Sequence, residues 1–281
     1  MKSNNPVFSR SAEFNGQAPN AYGNQTYPGN GQQGYSDPST WGTGTPGTPT
    51  QVDQGRMTVD SVVQKTAISL VFVFAAAGLT WFMTPEIDST ANLGPLYLAL
   101  TVGSFGAFGL SLVNSFKRVI SPALVLAFAA LEGVALGALS KVFDAQFGDG
   151  IVTQAVLGTF AAFAGTLAAY KFFNIQVGKK FQTFVIAAMF GLVGLSLLEV
   201  VLSAFGNSTG IFGFGGAGAL FAGAGLVLGV FMLILDFDFV EKGVAAGLPE
   251  RESWRAAFAL TVSLVWIYTN LLRLLAIFSQ D

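Results

Sequence analysis

Seven stretches of this chain are each apolar over roughly 20 residues, the length a helix needs to cross the hydrocarbon core of a bilayer. They run about Lys65 to Met83, Leu93 to Phe116, Val119 to Ser140, Ile151 to Tyr170, Phe181 to Phe205, Ile211 to Leu235 and Ala256 to Phe278. In lipid every backbone N–H and C=O must find a partner within the protein, and spanning strands would be shorter and alternate in polarity. Helices are therefore expected throughout. Only 11% of the 281 residues are charged, against roughly a quarter in an ordinary soluble domain. The expected fold class is an all-α membrane protein, a seven-transmembrane helix bundle over residues 58–281 preceded by a disordered N-terminal tail over residues 1–57.

The tail is rich in Asn, Gln, Gly, Pro, Ser and Thr, with Tyr22, Tyr27, Tyr35 and Trp41 scattered through it. Such a composition cannot bury a core and leaves the backbone solvated. It reads as a flexible tether, or as an arm that engages another membrane protein through its spaced aromatics. No apolar stretch follows Lys2 or Arg10, so no cleavable signal is expected. Lys and Arg cluster in alternate loops: Arg56 and Lys65 before the first span, Lys117 and Arg118 after the second, Lys171, Lys179 and Lys180 after the fourth, and Lys242, Arg251 and Arg255 after the sixth. The other side carries Glu86, Asp88, Asp144, Asp149 and a single basic residue, Lys141. A multi-pass cell-membrane protein with a cytoplasmic N-terminus and Asp281 outside is expected from the excess of positive charge on one side.

There is no Cys and no His, and the formal net charge is −2. Disulfides, thiolate or Ser–His nucleophiles and imidazole-held metals are excluded, no cofactor is expected, and no basic field for nucleic acid exists. Small residues mark close helix approaches: Gly133 and Gly137, Gly225 and Gly229, and Gly158, Ala161, Ala162 and Gly165. Ionisable groups inside the spans are few and costly, so each is a candidate for function. They are Glu132, Glu199, Asp236, Asp238 and Arg273. At ~1.5 Å per residue Glu132 falls near the bilayer middle, and Glu199 and Arg273 fall at similar depths toward the outer side. These two are expected to form a buried pair. Asp236 and Asp238, at the end of the sixth span, are about 200° apart around a helix and face opposite ways. Asp236 is taken as the inward one, able to change charge when a proton arrives, while Asp238 shares a face with Glu241.

The order of these features resembles the Bax inhibitor-1 family of membrane proteins: LEGVALG with Glu132 in the third span, LDFDFVEKG closing the sixth, and LLRLLAIF in the last. The N-terminal SNNPVF and the long polar tail look like the actinobacterial branch of that family. The resemblance covers about Lys65 to Phe278. It implies a last helix surrounded by the other six, a proton-sensitive leak of calcium or other cations, and a latch in which Asp residues on the sixth and seventh helices are bridged by an Arg from the second. Carried over, the sixth-helix Asp is Asp236 and the late seventh-helix Arg is Arg273. The seventh-helix Asp is missing; its place falls at or near Ser263, close to Thr261. The basic partner on the second helix is Lys117 or Arg118. With Ser opposite Asp236, the like-charge coupling of a carboxylate pair is lost and titration should be less steep.

Two function classes follow from these residues. In one, Glu132, Glu199 and Asp236, with Ser and Thr hydroxyls, supply oxygens along a sparse cation path through a bundle held in membrane lipid. In the other, the chain regulates or helps assemble membrane proteins through its tail and conducts nothing. An enzyme is not expected: without His the routes left are Ser–Lys or paired-Asp chemistry, and no Lys lies deep in a span.

Overall fold

The computed structural model describes residues 55–87, 93–148 and 150–280. The expected disordered tail over residues 1–57 lies outside these residues except for Gly55 to Met57, and Asp88, Asp149 and Asp281 lie outside them too. Seven helices follow in order: α1 (Val59–Met83), α2 (Gly94–Phe116), α3 (Pro122–Phe147), α4 (Ile151–Phe172), α5 (Lys179–Ala204), α6 (Gly216–Ala245) and α7 (Glu252–Phe278). All seven are long and apolar enough to cross a membrane.

Several helix ends differ from the apolar runs because polar chemistry, which hydropathy does not register, sets them. α1 starts six residues before Lys65, where Thr58 and Ser61 form a reciprocal capping box with both side chain–backbone bonds at 3.1 Å. The packed unit begins earlier still, at Gly55: Met57 N–H donates to Leu248 at 2.7 Å, Glu250 N–H donates to Gly55 at 2.9 Å, and the Met57 side chain is buried. Pro95 and Pro122 open α2 and α3, where a missing N–H is harmless. The turn from α3 to α4 relies on Gly148 at φ 101° and Gly150 at φ 99°, a region closed to most side chains. α6 starts at Gly216, five residues later than its apolar run, and continues ten residues past Leu235. Asp236 and Asp238 thus lie inside the helix and do not end it.

α7 is the axis. Fourteen of its 27 residues are buried, against three of 26 in α5. α1, α3, α4 and α6 pack directly on it, while α2 leans on α3 and α5 on α6. The expectation of six surrounding helices is corrected to four, with α2 and α5 in an outer layer whose Phe105, Phe108, Phe184 and Phe190 are exposed where lipid would lie. The mainly apolar interior of this bundle also carries polar groups. Ser253, Thr261, Ser263 and Asn270 are buried along α7, and each finds a hydrogen-bond partner. With lipid outside, polar contacts and close packing hold the helices together, since burial of apolar surface gains little there.

Small residues decide how close the helices come. A methyl group on Gly133 would sit 2.8 Å from the Ala76 Cβ, and one on Gly137 would sit 2.8 Å from the Ala77 Cα. The α1 and α3 backbones therefore touch. Gly225 and Gly229 seat α7 against α6 in the same way, with Asn270 and Ile267 occupying the space a side chain would need. Gly158 receives the Leu271 side chain, but Gly165 is exposed with nothing near it, so its expected role in packing is corrected.

Candidate functional site

The α6–α7 seam carries the acid singled out in the sequence. Ser263 Oγ donates to Asp236 Oδ2 at 2.5 Å, tying the two helices; Ser263 is fully buried and Asp236 half-buried. Near Asp236 along α6, Leu233 and Phe237 are buried, the Phe237 ring against Phe163 and Tyr170 of α4. A carboxylate facing one hydroxyl has a single strong donor and spare acceptor capacity, so its charge is only partly compensated.

Asp238 turns the other way and pairs with Lys242 Nζ at 2.6 Å, one turn along the helix. Glu241 accepts from Tyr170 Oη at 2.6 Å, which docks α4 on α6. Neither basic candidate from the second helix reaches Asp236. Lys117 and Arg118 are exposed in the turn between α2 and α3, and Arg118 contributes its backbone carbonyl to Arg255 at 3.0 Å. That turn leaves the helix before a side chain can point inward. No bridging Arg or Lys joins Asp236 among the described residues.

The expected pair of Glu199 and Arg273 does not form. Both reach the loop between α5 and α6, Glu199 from α5 and Arg273 from α7. Glu199 is 2% exposed and accepts from Thr209 N–H at 2.9 Å, Thr209 Oγ1 at 2.5 Å and Gly210 N–H at 3.2 Å. Arg273 donates to Gly213 O at 2.9 Å and to Ile211 O, and its guanidinium lies 5.8 Å from the rings of both Phe212 and Phe221. The physical reason is that irregular backbone at this depth has unsatisfied donors and acceptors, which the anion and the cation each satisfy. The loop is thereby clamped between charges that never meet.

Glu132 sits half-buried on α3, on the face it shares with buried Phe128, and no hydrogen bond or ion pair holds it among the described residues. It does not converge with Asp236 or Glu199, and no group of three or more Asp or Glu side chains placed to hold a metal occurs among the described residues.

Lys141 is a residue whose importance the sequence reading missed. It is buried, and Nζ donates to Trp81 O at 2.8 Å and Thr84 O at 2.7 Å, closing the carbonyl end of α1. A lone Lys on an otherwise acidic side was the available signal. Lys141→Met should lower unfolding stability by about 3 kcal/mol, the scale of two hydrogen bonds to a charged group. Chemical denaturation in detergent, followed by circular dichroism, checks this; an unchanged midpoint would mean water caps α1 instead. At the opposite end Lys65 plays a similar part, bonding Glu250 through its carboxylate at 2.9 Å and its carbonyl at 3.1 Å.

Compared with known proteins, residues 5–280 match a family model described as Bax inhibitor 1 like. The chain is also 27% identical over 231 residues to an uncharacterized protein of Chlamydia muridarum, covering 78% of this chain and 94% of that one.

Proposed function

The chain belongs to the Bax inhibitor 1-like family, and from that premise we propose that it is a proton-tuned leak path for calcium or related cations in the cell membrane, with its N-terminus in the cytoplasm and its C-terminus outside. The observation that carries this reading is the Ser263–Asp236 bond between the axial helix and α6. Protonating Asp236 removes a charge from a partly enclosed seam and changes what the Ser263 hydroxyl can do, so a single proton alters the attraction between α6 and α7. Glu132 and the buried hydroxyls of α7 supply scattered oxygens, in keeping with passage of a cation and not with storage. Under this reading the protein is no enzyme and needs no cofactor.

Flux into liposomes tests it. Purified protein should pass calcium with a rate that changes with pH, and Asp236→Asn should flatten that dependence. Ser263→Asp should sharpen it, because two facing carboxylates titrate as a coupled pair. A wild-type protein that is folded yet passes no calcium at any pH overturns the reading.

A second reading, a non-conducting partner or assembly factor of other membrane proteins, is supported by the length of polar chain ahead of Gly55. Deleting residues 3–54 should abolish such partner binding and leave a leak intact. Gly55 must be kept, since its carbonyl receives the Glu250 N–H.

A further inference from the structure

A cavity of about 600 Å³ lies between α1, α3, α4 and α7, with neither Asp236 nor Ser263 in its lining. That volume is within the range of small-molecule sites, which run from roughly 300 to 1,000 Å³. Its walls are mainly apolar, with Val73, Leu136, Val156 and Leu264 among them. It reaches the protein's outer face along the line between α1 and α4, because Phe74, Phe82 and Phe160 both line it and are exposed. Phe74 and Phe160 stack across that line with centroids 6.2 Å apart. An entering molecule would come from lipid.

Among the polar groups of the lining, the Thr153 hydroxyl and the Trp81 indole N–H have hydrogens to donate, while several others offer only acceptors. Ser140 Oγ is 2.5 Å from Leu136 O, and a carbonyl can only accept, so the Ser140 hydrogen is used there. Tyr268 Oη, 2.6 Å from Ser140 Oγ, must then be the donor in that contact. The Tyr268 oxygen is left as an acceptor. Thr159 likewise gives its hydrogen to Ala155 O at 2.7 Å. Asp144, also lining the cavity, has no hydrogen bond or ion pair to its carboxylate among the described residues. The Lys141 ammonium one turn away is taken up by the Trp81 and Thr84 carbonyls, so the Asp144 carboxylate and the acceptor oxygens beside the Trp81 ring suit a cation that carries N–H groups.

We propose that this cavity binds an amphiphilic amine: a protonated primary or secondary ammonium held by Asp144 and Tyr268, with an apolar tail lying along α1, α4 and α7. The number of N–H donors is what distinguishes it from a quaternary ammonium of the same charge.

The probes are tail-brominated dodecylamine, the matching trimethylammonium compound and the matching alcohol, titrated into protein held in phosphatidylcholine nanodiscs. Bromine quenches Trp81 fluorescence on close approach, and Trp81→Phe identifies that component. The amine should quench saturably, binding roughly tenfold more tightly than the alcohol or the trimethylammonium compound, the scale of one charge-assisted hydrogen bond. Asp144→Asn should bring the amine down to the alcohol's level. Gly78→Leu should abolish saturable quenching by all three, since Gly78 lines the cavity and nothing lies within 4 Å of where its Cβ would sit. Equal quenching by amine and alcohol, equal binding of the trimethylammonium compound, or binding unaffected by Gly78→Leu would each overturn the proposal.

Discussion

Replacing Gly137 with Leu should destabilise the bundle by about 3 kcal/mol or more, at or beyond the upper end of ordinary overpacking. The reason is what the new side chain meets. The Cβ position is 2.8 Å from the Ala77 Cα and 3.0 Å from its carbonyl carbon, so the obstacle is α1 backbone and no rotamer change can relieve it. The two helices must separate, and the Lys141 bonds to Trp81 and Thr84 and the facing Gly133 contact lie on the same seam. Gly165→Leu is the matched control, because nothing lies within 4 Å of its Cβ position and the residue is exposed. It should be neutral or slightly stabilising, since Gly in a helix is worse than most residues by up to ~1 kcal/mol. Thermal unfolding in detergent compares the pair, and equal melting temperatures would refute the described α1–α3 contact.

Arg273→Met should release the segment between α5 and α6. The substitution keeps the bulk against Phe212 and Phe221 but removes the donors to Ile211 O and Gly213 O. Two buried-side carbonyls without partners cost about 2–4 kcal/mol together. The expected readout is faster hydrogen exchange for amides between Thr209 and Gly216, with exchange in α1 and α3 unchanged. Arg273→Lys should restore only part, having a compact ammonium where a planar fork serves two carbonyls. Combining Arg273→Met with Glu199→Gln separates a clamp from a direct ion pair. A direct pair predicts that the double variant is little worse than either single one, whereas charges acting on separate loop groups predict losses that add. Strong coupling would reinstate the pair.

How much of this was legible beforehand differs by residue. The number of spans followed from the sequence alone, because lipid penalises every unpaired backbone dipole and leaves long apolar runs one structure to adopt. Close packing at Gly133, Gly137, Gly225 and Gly229 was legible for a related reason, that helices in lipid associate through small residues. So was the opposed direction of Asp236 and Asp238, which follows from helical periodicity. Gly165 shows the limit: spacing marks a residue as small, and only the arrangement of neighbours says whether anything faces it.

The partners of Glu199, Arg273 and Lys141 were decided by tertiary structure. Lys141 and Arg273 bond main-chain carbonyls and Glu199 takes two main-chain N–H groups beside the Thr209 hydroxyl, and every residue carries the same N–H and C=O, so the side-chain pattern does not advertise which ones are available. The same holds for the ends of α1 and α6, set by a cap and by a clamped loop, and for the axial position of α7, which depends on how the other helices are arranged around it. What the sequence determined by itself was the solvent and the helices it requires; which helix sits in the middle, and which backbone atoms neutralise the buried charges, depended on three-dimensional packing, because identical backbone dipoles become distinguishable only once the chain is folded.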